Sequence, residues 1–132
     1  MELKFVTPTT LEKIAEVEKK INYNFPEDFR KDIISINEGY PEKNLFMIGN
    51  VERVLNNFFS MNEEDYYYIV NEASYSENHI FFATDPFGNL LAFNKLDNAI
   101  YFFDHEAMED EYTKVASSWT EFKDMLYEDT EN

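Results

Sequence analysis

Apolar residues recur at helical spacing near the start of the chain. They lie three or four positions apart and form one face of a predicted helix, namely Leu11, Ile14, Val17 and Ile21. The run from Thr9 to Glu12 has the pattern of a capping box, in which these two residues each satisfy a free amide at the helix start. The sequence therefore predicts a first helix that begins after Thr9 and ends near residues 22–24.

A second apolar stripe follows after a short connection. Its members are Phe29, Ile33 and Ile36. Pro26 suits the first helical position, where its missing amide is no loss. Gly39 suits the left-handed position just past the helix end, and Pro41 prevents the helix from continuing. The sequence predicts a pair of helices in its first forty residues.

The middle of the chain has a less regular pattern. Leu45–Ile48 predicts a short strand, whereas the apolar residues of 51–59 fit neither period, so a strand and a helix both stay open there. The acidic start of 62–71 predicts a short helix, and 75–78 is expected to be a loop.

Strands are predicted in the following segment. Aromatic and branched runs at 79–83, 89–93 and 99–103 are separated by turn residues at 85–89 and 94–98. These spacings predict consecutive antiparallel strands. Both faces of the strands carry apolar residues, so we expect them to be central in the sheet.

A second capping box, from Ser118 to Glu121, predicts a final helix. Its inward residues are expected to be Trp119, Phe122 and Leu126. The order of elements predicts an α+β fold. We expect a single domain over residues 1–127, with an N-terminal helix pair, a central, mainly antiparallel sheet and a C-terminal helix. Residues 128–132 are predicted to be a frayed acidic tail.

Negative charge is concentrated in the later part of the chain. The 132 residues carry a net charge of −16. Through Leu45 there are seven basic and nine acidic residues, whereas from Phe46 onward there are four basic and eighteen acidic residues. Such a field disfavours nucleic acid and anionic membranes and attracts cationic surfaces, although it also serves solubility alone.

Few chemistries fit the residue types present. The chain has no cysteine and three glycines, which excludes thiolate chemistry and any glycine-rich phosphate loop. The run Asp104-His105-Glu106 has neither metalloprotease nor EF-hand spacing, so a solvated acidic loop is expected over 104–111, and His79 is expected to be structural. We expect no catalytic residue, cofactor or metal. The N-terminus lacks the apolar run of a signal peptide, and the absence of cysteine suits the cytoplasm.

Two acidic segments are candidates for contact with a partner. In the first, carboxylates adjoin consecutive tyrosines, of which at least one must be exposed. Exposed tyrosine beside carboxylates is typical of an interface with a cationic protein. The alternative for both segments is an ordinary solvated surface. The candidate residues are Glu63, Glu64, Asp65, Tyr66 and Tyr67 in the first segment, and Asp104, Glu106, Glu109, Asp110 and Glu111 in the second.

Four segments resemble the SUKH superfamily, in order along nearly the whole chain. Residues 25–29 with 36–41 resemble its LPxDY…NGGxP stretch, and 81–93 resemble its strand-turn-strand segment xxxDGxGNxxxxD. Residues 101–106 resemble VYxWDHE, and 118–122 resemble SFxEFL. The chain departs from the pattern at Asn37-Glu38-Gly39, in place of a double glycine, and at Pro86-Phe87 in the turn.

The resemblance implies an α+β fold without catalysis, and often a cognate toxin as partner. Four residues match the family pattern and are expected to be architectural, namely Asp85, Gly88, Asn89 and Asp104. The first hypothesis is an immunity protein that blocks a toxin with a basic surface. A nuclease fits the charge best, because an enzyme that holds phosphates must be cationic. The alternative is a non-catalytic regulatory or scaffold domain for an endogenous protein. The oligomeric state stays open.

Overall fold

The computed structural model describes residues 1–72, 77–106 and 111–129 and has an α+β fold, as predicted. The helices are α1 (Leu11–Ile21), α2 (Glu27–Ile36), α3 (Ile69–Glu72) and α4 (Trp119–Met125). The strands are β1 (Leu3–Lys4), β2 (Tyr40–Pro41), β3 (Leu45–Ile48), β4 (Val51–Val54), β5 (Asn57–Phe58), β6 (His79–Thr84), β7 (Leu90–Asn94), β8 (Ile100–Asp104) and β9 (Glu111–Ala116).

Five strands form the main sheet, in the order β5-β6-β7-β8-β9, and all neighbours are antiparallel. The predicted meander of β6, β7 and β8 is confirmed, and these strands occupy the three interior positions. Two small antiparallel pairs, β1-β2 and β3-β4, lie outside this sheet. The open segment 51–59 consists of two strands, β4 and β5, rather than a helix.

The helix pair is confirmed, but its boundaries differ by one residue from the prediction. Thr10, not Thr9, is the N-cap of α1 and accepts a hydrogen bond from the backbone N–H of Lys13 at 3.2 Å. Pro26 likewise precedes α2 as its N-cap instead of being its first helical residue. Two adjacent threonines both suit the cap of α1, and the pattern alone does not choose between them; helix boundaries generally vary by one or two residues.

The left-handed residue after α2 is Glu38, with φ of 61°, and not Gly39. Glycine at position 39 has another cause, because a Cβ there would lie 2.8 Å from Leu3 Cδ2 and 2.9 Å from Val6 Cγ2. The N-terminal segment packs directly on this backbone. Gly39 is therefore explained by a close approach and not by a turn.

Two further predictions in the acidic segments were wrong. The helix expected over 62–71 is limited to Ile69–Glu72, because polar side chains bond one another through the preceding turn. The acidic loop expected over 104–111 was also wrong at its ends: Asp104 is the last residue of β8 and Glu111 the first of β9. Residues 73–76 and 107–110 lie outside the described part of the chain. Residues 75 and 76, the first half of the loop predicted over 75–78, are among them.

The core is aromatic and lies between the sheet and helices α1, α2 and α4. Trp119 is fully buried, and its ring lies 5.0 Å from that of Phe29 and 5.6 Å from that of Phe58. Its Nε1–H donates to Asp32 Oδ2 at 2.7 Å, and Lys123 donates to the same oxygen at 2.8 Å. These contacts fix α4 on α2. Ser118 caps α4 as predicted, through a bond from the N–H of Glu121.

In the described part of the chain, no helix has the length and apolar character needed to span a bilayer. After α4, Tyr127 forms an antiparallel bridge with Leu45, the first residue of β3, and so holds this part of the chain on the domain. In the predicted tail, Glu128 and Asp129 are exposed, and 130–132 lie outside the described residues.

Candidate interaction site

The main sheet has one face away from α2 and α4, which we call the outer face. Directly opposed residues of an antiparallel sheet point to the same side. The pairs Thr84 with Leu90, Leu90 with Phe103, and Phe103 with Tyr112 therefore place four side chains in one row across β6 to β9. The outer face is mainly apolar and aromatic along this row.

The outer face is concave. The ring of His79 on β6 stacks on the ring of Tyr112 on β9, with centroids 3.7 Å apart, although β7 and β8 lie between these strands. His79 Nε2 also lies 3.3 Å from Asn94 Nδ2. Burial lowers the pKa of His79, which favours the neutral ring in this stack.

A groove with a volume of about 490 Å³ lies on the outer face. We call it the outer-face groove. Its lining is mostly aromatic and apolar and includes one carboxylate and one imidazole. The lining residues are Phe59, Tyr67, Glu72, Phe81, Thr84, Gly88, Leu90, Phe103, His105 and Tyr112. The groove therefore joins three segments that are far apart in sequence.

One end of the groove is fixed by the β6-β7 turn. Asp85 Oδ1 accepts bonds from the N–H groups of Phe87 and Asn89, both at 2.8 Å, and Gly88 has φ of 88°. The N–H of His105 donates to Asn89 Oδ1 at 3.1 Å, and its Nε2–H donates to the carbonyl of Phe87 at 2.7 Å. The expected architectural role of the turn is visible in these bonds.

The three consecutive tyrosines at 66–68, which we call the tyrosine segment, form another margin of the groove. Tyr66 is 88% exposed, as the run of tyrosines required, while Tyr68 is buried. Tyr67 is half-buried and stacks on Phe59 with centroids 6.0 Å apart. Its N–H donates to Glu38 Oε2 at 3.2 Å. Of the three consecutive tyrosines, Tyr67 is the one that faces the groove.

Asp65, directly before this segment, has a structural position. Its Oδ2 accepts bonds from Thr7 Oγ1 at 2.8 Å, Ser60 Oγ at 2.7 Å and Asn62 Nδ2 at 2.9 Å. Burial alone would raise the pKa of Asp65, but these hydrogen bonds outweigh it and hold the pKa below its usual value. Asp65 holds the tyrosine segment against the N-terminal segment, so its carboxylate is engaged within the protein. The carboxylates of Glu63 and Glu64 are exposed at the surface.

The second acidic segment lies where β8 ends and β9 begins. Asp104 is the cross-strand partner of Glu111, and its Oδ1 accepts a bond from the N–H of Glu106 at 3.0 Å. Like charges directly opposed on a sheet are unfavourable, so this pair does not serve the stability of the fold. Glu109 and Asp110 lie outside the described residues. As partner contacts, all members of both segments stay a prediction.

Of the predicted residues in the described part of the chain, Tyr67 lines the outer-face groove, together with Phe103, His105 and Tyr112. Asp104 and Glu111 follow and precede Phe103 and Tyr112 in their strands, so their side chains point to the opposite face of the sheet. Sequence reasoning missed Glu72 and Tyr112. No regular alternation marks β9 around Tyr112, and nothing in the sequence distinguishes Glu72 from other acidic residues.

Glu72 is the carboxylate within the groove. It is half-buried, and burial raises its pKa with no hydrogen bond acting in the opposite direction. Within residues 1–72, 77–106 and 111–129, no group of three or more His, Asp and Glu side chains is arranged to hold a metal ion. The arrangement offers aromatic surface, a recessed carboxylate and exposed acidic residues nearby.

Fold and groove together define a small α+β domain that presents an aromatic groove on the free face of its sheet. The model of the SMI1/KNR4 family (SUKH-1) matches residues 8–125, and the chain belongs to this family. The expected membership of the SUKH superfamily is confirmed. Comparison with curated proteins and with solved structures gave no match.

Proposed function

We propose that this protein is an immunity protein that binds a cognate toxin and blocks it by occupying a basic surface, without catalysing a reaction. Family membership is consistent with this role. The observation that carries the proposal is the aromatic outer-face groove, which contains the carboxylate of Glu72 on a strongly acidic molecule. Apolar surface with acidic neighbours suits a partner that is itself positively charged.

The charge balance around the groove supports a cationic partner. Among the described residues, no lysine or arginine lies within 4.0 Å of the carboxylates of Asp104, Glu106 or Glu111. Two of the four basic residues after Leu45 are engaged elsewhere: Lys123 pairs with Asp32, and Arg53 lies over the ring of Phe102. Lys114 on β9 is the cross-strand partner of Tyr101 and lies on the outer face, two positions from Tyr112. With four basic and eighteen acidic residues after Leu45, the field of this part of the molecule stays negative.

Aromatic side chains and carboxylates contribute differently to such a complex. Exposed Tyr66 and half-buried Tyr67 offer area that a partner can cover, and tyrosine is frequent among residues that dominate binding energy. The carboxylates mainly accelerate association and select cationic partners. A nuclease is the toxin class that this field fits best, because its substrate is a polyanion. The absence of cysteine supports action in the cytoplasm.

Co-expression with the product of the adjacent gene tests the proposal. We expect the two proteins to purify together, and we expect the association rate to fall at least about tenfold between low and physiological salt. A rate that does not change with salt contradicts the electrostatic mechanism. If the adjacent product does not bind, and one endogenous protein is recovered from cells that lack any toxin, the scaffold hypothesis replaces this one.

Neutralisation of carboxylates locates the surface. A four-site Glu→Gln variant at Glu63, Glu64, Glu106 and Glu111 should associate more slowly than the unmodified protein. The matched control carries the same charge change on residues of α1, α4 and the chain end, namely Glu12, Glu16, Glu121 and Glu128. Equal slowing of both variants would show that net charge alone acts and that the two predicted acidic segments have no special role.

A further inference from the structure

Glu72 occupies an unfavourable position if it serves only the fold. Its side chain lines the outer-face groove and also the neighbouring recess beside Asn56 and Tyr66, and Tyr67 lies in the lining of both. Among the described residues, no hydrogen bond or ion pair involves its carboxylate. A carboxylate that is partly removed from water without a donor costs folding free energy.

A ligand that supplies the missing donors would offset this cost. An apolar group would remove more water from Glu72 and leave the charge unpaired, and an anion would be repelled. A cation satisfies the carboxylate and also contacts the faces of the surrounding aromatic rings. Charge complementarity therefore selects a cation among the possible occupants of the groove.

We propose that the outer-face groove receives an arginine side chain of the protein partner, with the guanidinium paired to Glu72 and stacked on Tyr67. This inference rests on the proposed function, because it names the side chain by which the partner is held. Arginine is preferred to lysine because its planar guanidinium stacks on aromatic faces and donates two parallel bonds to one carboxylate. Its apolar stem would lie along Leu90 and Phe103 in the groove floor.

An NMR titration with N-acetyl-arginine methylamide tests the groove directly. The probe is compared with the citrulline analogue, which has nearly the same shape but no charge. We expect weak binding of the arginine probe, with shifted amide signals at Tyr67, Gly88 and His105, and much smaller shifts with citrulline. Glu72→Gln should weaken arginine binding by about fivefold, the factor for a partly exposed ion pair. Glu121→Gln, on α4 behind the sheet, should leave binding unchanged.

A stability measurement separates a binding role from a structural one. If Glu72 serves binding, Glu72→Gln should unfold at the same or a higher temperature, because the neutral amide is less costly to bury. Equal shifts for arginine and citrulline, or equal effects of Glu72→Gln and Glu121→Gln, would overturn the groove inference. So would a clear loss of stability in Glu72→Gln. The proposed function has a separate test. It fails if the arginine probe binds in the groove but the unmodified protein does not bind the adjacent-gene product.

Discussion

Replacement of Asp85 by alanine removes the carboxylate that organises the β6-β7 turn. Asp85 Oδ1 accepts from the N–H groups of Phe87 and Asn89, and Oδ2 accepts from Asn89 Nδ2, each at 2.8 Å. Asn89 in turn accepts from the N–H of His105. The substitution therefore affects both the turn and the end of β8, which together close one end of the outer-face groove.

The expected cost follows from which donors can reach water. Phe87 is exposed, so its freed N–H can be solvated at little cost. Asn89 is only 6% exposed, and its backbone and side-chain donors would both lose their acceptor. A buried donor without a partner costs about 1–3 kcal/mol, so two of them predict a loss of about 3 kcal/mol in the free energy of unfolding.

Urea unfolding followed by tryptophan fluorescence measures this loss. The chain has one tryptophan, Trp119, which is fully buried and reports the core. Asp104→Ala is the matched control: Asp104 Oδ1 also accepts a bond from a turn amide, that of Glu106 at 3.0 Å, but Glu106 is exposed, so its freed N–H can reach water. We expect the control to lose less than about 1 kcal/mol. Equal losses in both variants would refute the role of buried donors.

Three other substitutions test separate parts of the structure. Trp119→Ala should reduce the free energy of unfolding by about 3–5 kcal/mol, measured by urea unfolding followed by circular dichroism, because it empties the centre of the core. Asp65→Asn should cost about 1–3 kcal/mol at neutral pH, since the amide brings a donor to a site of three donors. The pKa of Asp65 is lowered in the folded state. Its carboxylate therefore stabilises the fold above the unfolded pKa of about 3.9, and this stabilisation is lost as the pH falls through the folded pKa. The melting temperatures of the unmodified protein and of Asp65→Asn should converge over that range of pH. Gly88→Ala should lower the melting temperature, because φ is 88° and the new Cβ would lie 3.2 Å from His105 Nε2.

Local sequence patterns determined much of the fold. The first two helices followed from apolar periodicity, and the interior strands followed from the turn residues at 85–89 and 94–98. Strand β9 was missed for a physical reason. Between Lys114 and Ala116 the register with β8 shifts, so Val115 is an extra residue and the alternation of side chains is interrupted. A pattern search of period two does not detect such a strand.

The candidate site depended on contacts that no local pattern contains. Asp65 belongs to an acidic run, but its carboxylate binds Thr7, which is 58 positions away. Tyr67, Glu72 and Tyr112 meet in one groove only because the sheet is concave and places β9 opposite the segment after β5. The sequence predicted acidic and aromatic residues as the contacts. The position of Tyr67 beside the recessed carboxylate of Glu72 required the three-dimensional structure.

A protection assay in cells tests the central claim most directly. The product of the adjacent gene, as the candidate toxin, is expressed together with the unmodified protein, with Glu121→Gln, or with the double variant Tyr67→Ala/Glu72→Gln, after each variant has been shown to fold. We predict that the first two restore growth and that the double variant does not. Equal protection by the double variant, or no protection by the unmodified protein, would contradict the account.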